Sequence, residues 1–279
     1  MNKAMKRVFF INAMISIFVL IMISAFLFKN GLSVFKDISI IDFLTGKDWS
    51  PTDVPASYGI FPMIIGSIYV TLGAVIVGVP IGIMTAVYLV FYAKESMYKI
   101  LKPIVDLMAG IPSIIYGFFG LMVIVPVIRD VFGGTGHSIL TASILLGIMI
   151  LPTIINLTEN ALKSVPSTYY QGAVALGVSK EIAIFKVIIP AAKQGILSAI
   201  VLGIGRAIGE TMAVVMVAGN QPHLPNGVLD GVRTLTTNMI MEMGYASGVH
   251  KEALIATGVF LFLFTLLLNI ILSVLKRRS

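Results

Sequence analysis

TYYQGAVALGVSKEIAIFKVIIP, residues 168–190, is a mixed polar and apolar segment set between strongly apolar runs. Thr168 with Gln171 three residues on fits a capping box at a helix start, and Gly177 fits the left-handed position that ends such a helix. Ser179 is placed to cap a second helix. Glu181 in its first turn suits the positive end of the helix dipole, and Pro190 forbids the run from continuing unbroken. The segment predicts helix, glycine bend, helix. Tyr170, Ala173, Val174, Leu176, Ile182, Phe185 and Ile189 give this hairpin more apolar surface than a solvated pair of short helices carries. Such a hairpin either lies on lipid or presses into another protein, and its residues alone admit both.

The composition around it decides the class. Of the 279 residues, 57% are hydrophobic and only 12% charged, about half the charged share of a water-soluble domain. Mean hydropathy is +0.99. These values predict an all-α polytopic membrane protein, one domain over residues 1–279, with no second soluble domain. Six apolar runs long enough for a hydrocarbon core of about 30 Å lie near 8–28, 60–92, 104–128, 139–157, 196–218 and 253–275. The first is longer than a signal-peptide core and lacks a small-residue cleavage site, so it reads as a retained span. Pro62 and Pro80 with Gly66, Gly73, Gly78 and Gly82 predict a kinked or tilted second span.

The net charge of +7 sits at span ends and not along one face, which excludes a nucleic-acid surface. Six spans bring both termini to one side. Thirteen basic residues lie on that side (Lys3, Lys6, Arg7, three in 94–102, four in 163–193 and three at 276–278), against six on the other. The positive-inside rule makes the termini and the 168–190 segment cytoplasmic. Cysteine is absent, which excludes thiolate chemistry, and His137, His223 and His250 are too scattered for a metal site. No cofactor is implied. Lys47 after Gly46 lacks the flanking residues of a phosphate-binding loop, so the chain does not bind ATP by that route. No nucleophile and base can be assembled, so the chain reads as a transport subunit and not an enzyme.

The fifth run, SAIVLGIGRAIGETMAVVMV, carries Arg206 and Glu210, four residues apart and so on one helical face. A charge near the bilayer centre costs about 3 kcal/mol on insertion scales, so both must face protein or water. One reading is an ion pair that fixes helix packing, which Gly205 and Gly209 also suit. The other is a substrate path: arginine presents a planar fork of donors to an oxyanion, and glutamate accepts from a protonated oxygen. The pair suits hydrogen phosphate better than sulfate, which has no proton to offer. Thr211 is a nearby hydroxyl at a less favourable angle. Asp106 reads as a solvated or capped helix-end residue.

These motifs resemble a known family. Gln171-Gly172-Ala173, Gly177 and Val187-Ile188-Ile189-Pro190 keep the spacing of the coupling signature E-A-A-x3-G-x9-I-x-L-P of binding-protein-dependent ABC importer permeases, with Gln171 for Glu and Gly172 for Ala. GRAIGET at 205–211, WSPTDVPASYGIFPMIIGS from Trp49 and GIPSIIYGFFGL from Gly110 look like the phosphate permeases, PstC-type subunit. The resemblance implies a type I importer permease in a bacterial-type inner membrane. It implies a second homologous permease, two copies of a cytoplasmic ATPase and an external phosphate-binding protein as partners. Gln171, Gly172, Ala173, Gly177 and Pro190 would then couple to the ATPase, and Arg206 and Glu210 would serve phosphate passage. The alternatives are a permease for sulfate, molybdate or another oxyanion, or a proton-coupled secondary transporter using Glu210.

Overall fold

The computed structural model describes residues 3–278 of the chain; residues 1, 2 and 279, and the side chains of Lys3 and Lys276 to Arg278 counted in the charge balance, lie outside the described residues. The long helices are α1 (Lys3–Gly31), α3 (Phe61–Phe91), α5 (Ser113–Phe132), α6 (Ile139–Lys163) and α12 (Gly248–Arg278), with short α2 (Ile40–Thr45) after the first of them. Between α3 and α5 lies α4 (Glu95–Gly110); α7 (Ser167–Ala175), α8 (Lys180–Ala191), α9 (Lys193–Ile208), α10 (Met212–Val217) and α11 (Leu235–Glu242) follow α6. Five helices are long and apolar enough to cross a membrane, and α8 with α9, bent by 68° at Ala192, makes a sixth candidate.

α6 is the central helix: 67% of its apolar window is buried, against 0% for α1. Leu145, Leu146, Met149, Ile150 and Ile154 of α6 are fully buried and pack against α3, α5 and α10. The glycines of α3 make this possible by close approach. A Cβ at Gly78 would lie 2.8 Å from the Gly147 carbonyl and one at Gly82 would lie 2.7 Å from Ile154, so side chains there would push the two helices apart. α3 is accordingly one helix of 31 residues. Pro62 stands in its first turn, where no N–H is needed, and does not break it.

The third run differs from its sequence reading. A continuous span over 104–128 is replaced by α4, a break at Ile111-Pro112 and α5, because the residue before a proline is driven from the helical to the extended region, where Ile111 sits at φ −70°, ψ 126°. Two other prolines are absorbed without a break. Wide turns at Gly120–Ile124 and Ile184–Ile188 let Val125 N–H reach Gly120 O and Ile189 N–H reach Ile184 O, one residue further back than an α-helix requires. Pro126 and Pro190 each follow such a turn, and the helix containing Pro190 continues to Ala191.

Two polar clusters close the ends of the bundle. At the end opposite the hairpin, Trp49 in a two-residue antiparallel pairing with Ser57-Tyr58 donates its Nε1 to Glu242 Oε2 at 2.9 Å. The same oxygen lies 2.8 Å from His250 Nε2, and Arg233 pairs with the other carboxylate oxygen. This buried carboxylate ties the first long loop to α11 and α12, links that no local pattern in the sequence reveals. Replacing Glu242 by Leu leaves the part-buried Arg233 without its carboxylate, though still bonded to Asn220 O and Asn238 Oδ1, and is expected to cost about 3 kcal/mol. Trp49→Phe loses one hydrogen bond to a charged group and is expected to cost about 1.5–3 kcal/mol. Thermal unfolding of the detergent-solubilised chain checks both.

Candidate functional site

The fifth apolar run is two helices and not one. Gly209 N–H bonds Gly205 O at 3.3 Å, Glu210 N–H bonds Ala207 O at 3.3 Å, and the chain leaves the helix there before α10 begins at Met212. Glu210 is thus not one helical turn above Arg206, and the two form no ion pair. The Glu210 side chain turns toward α10 instead, where Oε1 accepts from the Ala213 N–H at 3.1 Å, and its carbonyl accepts from Thr236 Oγ1 at 2.8 Å. A broken helix inside a membrane leaves backbone donors and acceptors without water, and these two bonds answer part of that demand. Thr211, at the break with φ −125° and ψ −61°, donates its hydroxyl to Gly209 O at 3.3 Å.

Arg206 is half-buried and its Nη1 donates to Thr153 Oγ1 of α6 at 3.2 Å. One of five N–H donors is used in that bond, and among the described residues no carboxylate pairs with the guanidinium. Gly205 and Gly209 are exposed, and no atom lies within 4 Å of a Cβ built at Gly205, so the close packing their spacing suggested is absent within this chain. Gly203 fills that part instead, since a Cβ built there would lie 3.1 Å from Ile154. The break therefore sets a guanidinium on α9, a carboxylate and a hydroxyl within six residues of one another along the chain.

The 168–190 segment forms the expected hairpin with a shifted start. α7 begins at Ser167 behind Pro166, and Thr168 makes no cap bond, because proline already fixes the backbone of entry. Gly177 has φ +81°, the left-handed conformation the reading required, and Ser179 Oγ accepts from Ile182 N–H at 3.4 Å. The apolar set divides between two faces. Ala173 is buried, and Tyr170 and Ile189 pack on a core of Ala86, Val87, Leu162, Ile184 and Ile188. Leu176, 85% exposed, stands out on the other face with Val174, Ile182 and Phe185. Gln171 and Gly172 are exposed, and nothing lies within 4 Å of a Cβ at Gly172. Between the hairpin and the ends of α3 and α6 is a cavity of about 390 Å³ lined by Phe91, Lys163, Tyr170, Lys180 and Ile188.

Sequence reasoning missed Glu159, the most deeply buried charged side chain among the described residues at 2% exposure. Its signal was a carboxylate four residues before Lys163 at the end of the fourth run. Asp106, read as a helix-end residue, is half-exposed, pairs with Lys102 at 3.2 Å and accepts from Asn156 Nδ2 at 3.0 Å.

Comparison with known proteins places this architecture. Residues 78–279 match the family described as binding-protein-dependent transport system inner membrane component. A probable ABC transporter permease, YqgH of Bacillus subtilis, is 39% identical over 95% of this chain and 88% of its own. The phosphate transport system permease protein PstC of Pasteurella multocida is 34% identical over 83% of this chain and 77% of its own. Among solved structures, the permease chain of an importer of the acidic polysaccharide alginate has a TM-score of 0.64 at 16% identity, covering 99% of this chain and 98% of that one. A chain of the MetNI methionine ABC transporter has a TM-score of 0.63 at 20% identity, covering 78% and 95%. The chain therefore belongs to the binding-protein-dependent transport system inner membrane components: it is a multi-pass membrane permease subunit of an ABC importer, a transport subunit and not an enzyme, with ATP hydrolysis on a partner chain.

Proposed function

We propose that this permease carries inorganic phosphate, in the hydrogen phosphate form, past the break between α9 and α10. The observation that carries the reading is the half-buried guanidinium of Arg206, bonded among the described residues to Thr153, close in the chain to a helix break where Glu210 uses one carboxylate oxygen as a cap. Arginine grips the oxyanion through its planar fork, and Glu210 accepts from the one oxygen that still holds a proton. Sulfate and molybdate lack that proton near neutral pH, and the carboxylate repels them. The relatives named as phosphate permeases support the same choice. Thr211 is a further hydroxyl at the break.

The partners are a second homologous permease, two copies of a cytoplasmic ATPase and an external phosphate-binding protein. The chain sits in a bacterial inner membrane with both termini in the cytoplasm, as the excess of basic residues on the hairpin side requires. The exposed apolar face of the hairpin, Val174, Leu176, Ile182 and Phe185, is the surface for the ATPase. Gln171, Gly172, Ala173, Gly177 and Pro190 shape that hairpin.

Arg206→Ala removes bonds to an anion worth about 1.5–3 kcal/mol, so uptake of phosphate by the assembled importer is expected to fall tenfold or more with assembly unchanged. Glu210→Gln keeps an oxygen to cap Ala213 but adds an amide donor. Its uptake is expected to lose preference for phosphate over sulfate, measured by competition, and an unchanged preference would sink the proton-recognition idea. At the hairpin, Gly177→Asp forces a side chain into the left-handed region at about 1–2 kcal/mol and adds charge beside the apolar face. It is expected to abolish co-purification of the ATPase, whereas Gly172→Ala, helical and open, retains it.

A further inference from the structure

A row of polar side chains joins α4 to α6 at the hairpin end, outside the anion site. Tyr98, Lys102 and Asp106 lie four residues apart along α4, and Asn156, Glu159 and Lys163 lie three and four apart along α6. Glu159 Oε1 accepts from Tyr98 Oη at 2.6 Å and from Lys163 Nζ at 2.7 Å, while Oε2 lies 3.0 Å from Lys102 Nζ. Lys102 also donates to Asn156 Oδ1 at 2.7 Å. The two lysines balance the two carboxylates, so the row carries no net charge. Burial opposes the ammonium of Lys102, but bonds and charges from Glu159 and Asp106 outweigh it and hold its pKa above the ordinary lysine value. A raised folded-state value means this contribution is complete at physiological pH and is lost only in strong alkali.

The helices this row joins differ in how they are anchored. The helix breaks between α4 and α5 at Ile111-Pro112, where a Cβ at Gly110 would meet nothing within 4 Å and one side-chain bond, Tyr116 Oη to Met108 O at 2.8 Å, spans the joint, so the joint serves as a hinge. α6 runs unbroken from the contact between Thr153 and Arg206 to Lys163, three residues short of the start of the hairpin. Lys163 itself lines the cavity beneath the hairpin with Tyr170 and Lys180. The hairpin is thus joined to this end of α6 through residues 164–166, and to the end of α3 through Lys180 Nζ, which donates to Phe91 O at 2.6 Å.

We infer that Glu159 is a positioning residue for transport: it fastens hinged α4 to the hairpin end of α6, so that movement of the hairpin moves α4 and opens or shuts the way between Arg206 and the cytoplasm. The inference rests on the importer reading above. Without the carboxylate's charge, α4 no longer follows and the ATPase cycles without moving substrate.

The test is the amount of phosphate moved per ATP hydrolysed by the complete importer in proteoliposomes, with the phosphate-binding protein added, for wild type, Glu159→Gln and Tyr98→Phe. Glu159→Gln is expected to keep ATP hydrolysis stimulated by the binding protein while phosphate moved per ATP falls about tenfold. Tyr98→Phe, which removes the hydroxyl's bond to Glu159 and the bond it accepts from Lys163 Nζ at 3.0 Å but no charge, is expected to fall about threefold with assembly intact. An unchanged ratio in both variants would overturn the inference. So would a parallel loss of hydrolysis and transport in Tyr98→Phe, which marks a purely structural role. Should Glu159→Gln fail to assemble, Tyr98→Phe decides alone. Wild-type importer that moves no phosphate refutes the substrate reading and leaves the ratio to be taken on the anion it does move.

Discussion

Inside a hydrocarbon layer no water is available to satisfy a polar group, and even at its edges the chain meets the backbone and charge demands of its irregular parts from within. Helix breaks and charges survive only where the chain supplies their partners. At Gly209 to Thr211 the partners are the Glu210 carboxylate and the Thr236 hydroxyl. At Pro126 and Pro190 a wide turn reroutes one N–H to a more distant carbonyl, and the helix passes through without a gap. At Glu159 three donors surround one buried carboxylate.

Under the same constraint, Arg206 stands out because its needs are met only in part. Its guanidinium is held by one threonine on the central helix, on a side of α9 where Gly205 and Gly209 leave backbone uncovered. A cation held this way in a membrane has a use for its remaining donors, and an oxyanion in a protein-lined path is the ligand that fits them. On the proposed reading, the Glu210 carboxylate would filter the protonation state of the anion. The fold contributes the firmest partner, since α6 is the most buried of the long helices.

The long helices of the first, second, fourth and sixth apolar runs and the hairpin were legible because they rest on run length and on single residues with strong local preferences. Gly177 needs the left-handed region whatever surrounds it, and it takes it. The hinge before Pro112 was legible in principle from the rule on residues preceding proline, but an uninterrupted apolar run over 104–128 outweighed it. The break at Gly209 was not legible. Apolar residues flank it on both sides, and what ends the helix is a carboxylate capping forward and a hydroxyl from Thr236, both tertiary choices. Glu242 and Glu159 escaped for the same reason, since their partners lie on other helices and loops.

The decisive measurement is labelled phosphate uptake by proteoliposomes holding the complete importer with ATP on the ATPase side, with arsenate and sulfate each offered as competitors. The reading of the break as a path for a protonated oxyanion predicts uptake that stops without ATP, is suppressed by arsenate and is indifferent to sulfate. Equal suppression by sulfate, or uptake that persists without ATP and follows a proton gradient, would contradict it.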